Sequence, residues 1–471
     1  MIKFYNRKKE LEILEKHFSQ IKHGSILDVI VGRRRIGKTE LVKEFIKNKR
    51  AFYFFVSRKS ITGLLEEWSE ILRIEFPEIG EFNSLEKFLI SLFEIGKKQK
   101  LILVFDEFQN FKYIDPTAFS VFQKIFDEYK NKSEVLLIVI GSLITLMEKI
   151  FIDSKEPLFG RATRIIYLEP LNLPTISKWL NNLGFKTKKE VLDLYSIFDG
   201  IPKYYRLIEE ENLGGQSLEK IVKELILSQK AILQKEGEIL LQQEFGKEYQ
   251  RYFTILSLIS QGKTKLSEIA NSIKLPTNTV NAYLDKLEKK FRLIEKRLPI
   301  LEKPPARLSR YYLKDTFLIF WFRFVYRYLS WIEKGAENLL WQRIKRDFLT
   351  YQGQIFEEIS RNLLFQKFLK GDFYFPITKI GRFWDKKGEV EIDIVALSED
   401  KKAIFLGECK LNPKQINKTF ISNFLNKSSH CSFRKFKKKY LAIISFGKLN
   451  SYQKSFLKKS KIDFINLENL I

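Results

Sequence analysis

Cysteine and histidine are scarce. Cys409 and Cys431 cannot build a disulfide framework, and with His17, His23 and His430 scattered along the chain they cannot build a four-ligand zinc site. That scarcity points to a reducing compartment and away from zinc chemistry. Long apolar runs are also missing, since no stretch of about 18 uninterrupted apolar residues occurs. The nearest approach, Thr316 to Trp331, carries Arg323 and Arg327 one helical turn apart and reads as a buried or amphipathic aromatic helix. The opening MIKFYNRKKELEIL lacks the apolar core of a signal peptide. These absences set the expectation of a soluble, cytoplasmic protein with no membrane partner.

What is abundant is aromatic and basic. Hydrophobic residues make up 45% of the 471, with 42 Phe and 19 Tyr, enough to fill several cores. A typical domain holds about 150 residues, so two to four domains are expected. The net charge is +26, a field that favours polyanions such as nucleic acid. It is uneven: residues 401–471 hold 16 Lys and Arg against 3 Asp and Glu.

Periodicity orders the chain into modules. Up to residue 172, short apolar runs (SILDVIV, AFYFFVS, KLILVFDEF, EVLLIVIGS) alternate with helical stretches, the pattern of buried parallel strands in an open α/β domain. Residues 173–244 read as a helical lid broken at Gly200-Ile201-Pro202. Residues 245–315 run helix, LSEIANSI, the turn KLPTN, a second helix and the strand-like LIEKRLPI, the order of a winged helix-turn-helix. Residues 316–350 form an aromatic helical connector, and 351–471 a smaller α/β domain.

The sharpest motif is GRRRIGKT at residues 32–39, which satisfies G-x-x-x-x-G-K-[ST] between a strand and a helix. Gly32 and Gly37 let backbone N–H groups turn onto phosphates at a helix N-terminus. Lys38 is expected at the β and γ phosphates of ATP, and Thr39 on Mg²⁺. LILVFDE then supplies two acids at a strand end, Asp106 as the magnesium partner and Glu107 as the activator of the attacking water. Arg33, Arg34 and Arg35 inside the loop receive no role.

The order GRRRIGKT, LILVFDEFQ, VIGS, PLFGR and GIPKYY resembles the archaeal ATPase family of the AAA+/STAND group. The opening FYNRKKEL resembles that family's N-terminal motif near the adenine. The resemblance implies that Ser142 senses the γ phosphate, that Arg161 is a sensor or finger arginine, and that Pro202 and Tyr204 mark the nucleotide-facing turn of the lid.

A second constellation lies in EVEIDIVALSEDKKAIFLGECK (389–410), which reads as two strands around a turn between Asp400 and Lys401. That register places Asp393 opposite Glu408, with Cβ atoms about 5 Å apart, and Lys410 opposite Glu391. The reverse face (Val390, Ile392, Ile394, Ala396, Ala403, Phe405, Cys409) is apolar. Carboxylates so close repel unless a cation such as Mg²⁺ or Mn²⁺ lies between them. With Glu357 or Glu358 on the preceding helix, the arrangement resembles the PD-(D/E)xK nuclease fold, with Ile392 in place of the motif's proline. The likeness implies a restriction-endonuclease-like domain with Glu357, Asp393 and Glu408 on magnesium and Lys410 positioning water.

In the helix-turn-helix, Asn278, Asn281, Lys286 and Lys289 stand where DNA contacts are expected. RKFKKK (434–439) interleaves cations with Phe433, Phe436 and Tyr440. The combined expectation is an ATP-hydrolysing, DNA-acting protein with a magnesium-dependent nuclease domain. The alternative is an ATP-dependent switch or scaffold whose nuclease-like domain only binds DNA or a protein partner. Homo-oligomers are compatible with either.

Overall fold

Five strands of the N-terminal region lie side by side as one parallel sheet in the computed structural model, which describes residues 4–470 apart from 246–248 and 302–307. The strands are β1 (Ile26–Gly32), β2 (Ala51–Phe55), β3 (Leu101–Asp106), β4 (Val135–Gly141) and β5 (Arg164–Leu168), in the order β2-β3-β4-β1-β5. β3 and β4 are buried at every residue, as central strands covered on both faces must be. β5 was not among the expected strands. It is an edge strand whose burial alternates with exposed Arg164 and Tyr167, so it carries no continuous apolar run.

The chain divides into two units, Met1–Leu171 with Ile201–Arg206, and Asn172–Gly200 with Leu207–Ile471. The first contains the parallel sheet and its helices, including Lys8–Gln20, Lys38–Ile46, Ile61–Arg73, Leu85–Lys98, Ala118–Tyr129 and Ile144–Ile152. Ser60 and Ser84 start two of them by accepting the backbone N–H groups of Gly63 and Lys87. The amphipathic faces converge on Trp68, whose ring lies 5.4 Å from Phe88, 5.5 Å from Phe54 and 5.6 Å from Phe105.

The second unit is helical as far as Lys290. Leu173–Asn182, Lys188–Phe198, Leu218–Val222 and Glu236–Phe245 lead into Tyr249–Ser260, Leu266–Ile273 and Thr277–Asp285. An antiparallel pair follows, β6 (Ile294–Arg297) and β7 (Arg310–Leu313). The connection between them includes 302–307, outside the described residues. The expected boundary at 350 falls inside one helix, Glu337–Leu369, of 33 residues. No proline occurs in it and Gly353 does not interrupt it, while Tyr351 and Gln352 are buried and bonded to the helix Lys188–Phe198 through Ser196 and Asp193.

The C-terminal sheet is mixed: β8 (Ile377–Trp384), β9 (Glu391–Ser398), β10 (Ala403–Lys410), β11 (Lys438–Ser445) and β12 (Asp463–Asn466), in the order β12-β11-β10-β9-β8. β8, β9 and β10 are antiparallel neighbours, while β11 and β12 add in parallel. The β9–β10 register is the expected one from Leu397↔Ile404 to Ile394↔Gly407. Simple alternation then fails. Phe383 pairs Ile392 but Gly381 pairs Val395, so β9 carries an extra residue. The bulge puts Ile392 with Val395, Ile404 and Leu406 in one core cluster, rather than with Ile394 as expected.

Replacing Trp68 with Ala empties the centre of the first unit's aromatic cluster. The expected loss is about 3–5 kcal/mol, read as a fall in the denaturant midpoint of that unit's transition.

Candidate functional site

The glycine-bearing loop leaves β1 at Gly32 and enters the helix Lys38–Ile46 through Gly37, whose φ of 90° is left-handed. A Cβ on Gly32 would stand 3.0 Å from the Leu168 carbonyl oxygen, so the close approach of β5 requires glycine there. Lys38 is nearly buried, and its ammonium donates to the Gly32 and Arg33 carbonyls at 2.8 and 2.9 Å, holding the cation inside the loop. Arg7 donates to the Ile36 carbonyl at 3.2 Å. Burial lowers the Arg7 pKa, against the pull of Glu10. Asn6 and Arg7 both have left-handed φ, so the segment FYNR turns sharply before its helix. Pro202 packs beside Gly37, and Arg206 pairs with Glu40 at 3.2 Å.

Asp106 ends β3 nearly buried and collects three donors. The Thr39 hydroxyl reaches Oδ2 at 2.8 Å, the Tyr53 hydroxyl reaches the same oxygen, and the Glu107 N–H reaches Oδ1 at 2.8 Å. Burial, then the charge of Asp106, raises the Tyr53 pKa and keeps it a donor. Glu107 is left-handed at φ 56°, an uncommon backbone for this side chain and the kind that gathers at functional sites. Its Oε2 accepts the Ser142 hydroxyl at 2.8 Å and the Gln109 amide. The hydroxyl of Thr39 beside the carboxylate of Asp106 is a pair of hard oxygen donors. These residues therefore fit a magnesium ion held with retained waters. Arg161 stands apart from this group, with its guanidinium on Asp127 at 3.1 Å and on the Phe159 carbonyl. Tyr204 is buried, 2% exposed.

In the C-terminal sheet the pairing of β9 with β10 ends before Asp393, whose Oδ2 instead accepts the Cys409 N–H at 2.9 Å. Of the two candidate glutamates on the long helix, Glu357 shares the site. Arg382 lies 3.1 Å from it and 3.8 Å from Asp393, whereas Glu358 pairs with Arg297 and Arg361. Lys427, from the helix Lys418–Ser428, reaches Glu408 at 3.0 Å. Glu391 faces Arg310 rather than Lys410, and the Lys410 ammonium lies over the Phe420 ring at 5.1 Å. Cys409 is buried, and burial, then the charges of Asp393 and Glu357, pushes its thiol pKa up.

Burial, then the charge of Asp393, pushes Glu357 up to about 7 and Glu408 up to about 8. Among the described residues no three acid, histidine or cysteine side chains converge on a metal position. Arg382, Lys427 and the Cys409 N–H hold oxygens of Glu357, Asp393 and Glu408, the trio expected on magnesium.

Residues 4–208 match a family described as an ATPase domain predominantly from Archaea, and residues 321–421 match one described as "Archaea bacterial proteins of unknown function". An uncharacterized protein of Methanocaldococcus jannaschii is 31% identical over 407 residues, which is 86% of each chain. The chain belongs to one family with that protein, and its residues 4–208 carry the ATPase domain. The chain is also 46% identical over 50 residues to an uncharacterized ATP-binding protein of the same organism, covering 11% of this chain and 81% of the relative. Among solved structures, the Walker-type ATPase of Pyrococcus abyssi shares its fold, with a TM-score of 0.53 at 19% identity over 68% of this chain and 96% of that one. No helix among the described residues is long and apolar enough to cross a membrane.

Three members of the ATPase site went unnamed from sequence: Arg7, Tyr53 and Gln109. Arg7 lies in FYNRKKEL and Gln109 in DEFQ, so the signal was present as motif context. Tyr53 is one aromatic in a strand of four, and nothing local separates it from core.

The two raised glutamates give the protein a pH dependence of defined sign. Unfolded, each releases its proton near the ordinary 4.5; folded, each keeps it to about 7 or 8. Their stabilising contribution is complete below pH 4.5 and is lost as pH rises through 7 and 8. In chelator, Glu408→Gln is expected to raise the calorimetric midpoint of the second unit at pH 9 and to change it little at pH 4. An equal effect at both would contradict the sign.

Proposed function

We propose that the protein hydrolyses ATP to control how its second unit engages DNA. The observation that carries the ATPase half is the joining of strand ends at Asp106, which brings Thr39, Glu107 and Ser142 beside the loop holding Lys38. In this reading Gly32 to Thr39 cradle the phosphates and Lys38 neutralises them. Thr39 and Asp106 hold magnesium, which when bound offsets phosphate charge. Glu107 accepts the proton of the attacking water, and Ser142 donates to the γ phosphate. Pro202, beside Gly37, and the buried Tyr204 set the lid's turn. Arg161, tied to Asp127, takes part only if that pair opens.

The DNA half rests on charge and element order. Three helices followed by the β6–β7 pair have the order of a winged helix-turn-helix, and Asn278, Asn281, Lys286 and Lys289 are all exposed. Lys289 pairs with Asp285 at 2.8 Å, an exchangeable surface contact. Arg434, Lys435, Lys437, Lys438 and Lys439, at the start of β11 and just before it, are exposed too. Further copies of the chain, or a protein partner, remain compatible with this role.

A second reading, cleavage of DNA by the C-terminal sheet, is favoured by one observation. Asp393 raises the pKa of both Glu357 and Glu408, so the three acids share one electrostatic site. Arg382 and Lys427 hold oxygens of these acids.

One preparation tests both halves. Lys38→Ala is expected to lower ATP turnover by about 10²-fold or more with the fold intact by circular dichroism. Unchanged turnover would reject the loop assignment. Replacing Lys286 and Lys289 together by Ala is expected to weaken DNA binding and to reduce the slope of log affinity against log salt by about 2. A salt-independent association would reject the DNA reading. Linear, circular and single-stranded DNA left uncut with Mg²⁺ or Mn²⁺, with and without ATP, would remove the cleavage reading, and loss of cutting in Asp393→Ala would support it.

A further inference from the structure

Gln109 is 1% exposed, in the short turn after Glu107 that leads from β3 into an aromatic core of Phe108 and Phe111. Its amide nitrogen donates to Glu107 Oε2 and, at 3.3 Å, to the Ser142 hydroxyl, which itself donates to the same Oε2. One oxygen of the expected catalytic acid is thus held by two donors, and those donors touch each other.

The other end of the amide is the informative one. A carboxylate accepts hydrogen bonds and does not donate them, so Glu107 fixes the amide with its NH₂ forward. The Gln109 carbonyl oxygen then points into the protein interior, buried and without a partner. Space is made for it at the end of β4. A Cβ on Gly141 would stand 2.9 Å from that oxygen and 2.2 Å from Met147 Cγ. A buried acceptor with no donor destabilises the fold, and an apolar side chain of the same length would fill this pocket better. The side chain is therefore explained by its NH₂ end, not by packing.

We infer that Gln109 is a positioning residue of the ATPase site, fixing the Glu107 carboxylate and the Ser142 hydroxyl as one unit across the ends of β3 and β4. Glu107 needs such a clamp, because it is only half-buried and its long side chain has several staggered rotamers open to it. The clamp also links two assigned roles. A hydroxyl that turned from Oε2 toward a phosphate would leave the acid held by Gln109 alone, still aimed but with one acceptor position freed for water. The inference rests on the proposed role of Glu107 and assigns the residue that gives that role its geometry.

The test uses the full chain. Gln109→Leu, and Gln109→Met as a second apolar replacement, are expected to lower kcat at least tenfold. KM for ATP should stay within twofold, and the nucleotide-free melting temperature should equal or exceed the wild type's. Gln109→Glu, which swaps the NH₂ for an acceptor, is expected to lose as much turnover. In a Glu107→Gln background, Gln109→Leu is expected to cost nothing further, since the two act as one unit. The inference is overturned by a kcat within twofold of wild type, by a loss confined to KM, or by a full additional loss in the Glu107→Gln background. Leu and Met variants that both melt earlier or fail to fold also overturn it, because the amide is then structural. Wild-type turnover in Glu107→Gln alone would remove the role of Glu107 itself. That outcome is told apart from a failure of Gln109, which leaves Glu107→Gln inactive and Gln109→Leu active.

Discussion

A single buried carboxylate holds the nucleotide end of the first unit together. Asp106 gathers the Thr39 hydroxyl from the glycine loop, the Tyr53 hydroxyl from β2 and the N–H of Glu107, so two strands and the loop after β1 meet on two oxygen atoms. A buried charge without such donors would be strongly destabilising. Here its satisfaction fixes the relative positions of everything around it. Just beyond this anchor the backbone is left-handed at Glu107, whose carboxylate meets Ser142 and Gln109.

Much of this was legible in the residues themselves. GRRRIGKT sits between a strand and a helix, as its motif requires, and the register derived for β9 and β10 holds from Leu397↔Ile404 to Ile394↔Gly407. What was not legible has physical causes. A bulge adds one residue and redirects every side chain beyond it, and no local composition announced the one near Asp393. The expected opposition of Asp393 and Glu408 therefore became a side-chain contact with the Cys409 backbone. The cations Arg382 and Lys427 lie 11 residues before Asp393 and 19 after Glu408, and only the folded sheet and its covering helices bring them to the acids. The alternation of β5, half exposed at the sheet edge, resembled ordinary polar chain.

The two acidic clusters of the molecule are solved in opposite ways. In the first unit the acids are satisfied by neutral donors, hydroxyls, an amide and backbone N–H groups, which leave negative charge available to a cation. In the second, Arg382 and Lys427 supply the positive charge from within the protein, and Glu357 and Glu408 keep their protons well above the usual carboxylate range. The first arrangement meets its acids with neutral donors, the second with cations of its own.

The helix Glu337–Leu369 runs without interruption through the point where a domain boundary was expected. At 1.5 Å per residue its 33 residues form a shaft of roughly 50 Å. A tilt of only about 10° at one end of such a shaft sweeps the other by roughly 9 Å, close to the width of a helix. The acid-bearing turn at Glu357 and the buried Tyr351 therefore ride on one stiff beam. Whatever leans on its N-terminal half moves Glu357 by leverage, with no loop in between to absorb the motion.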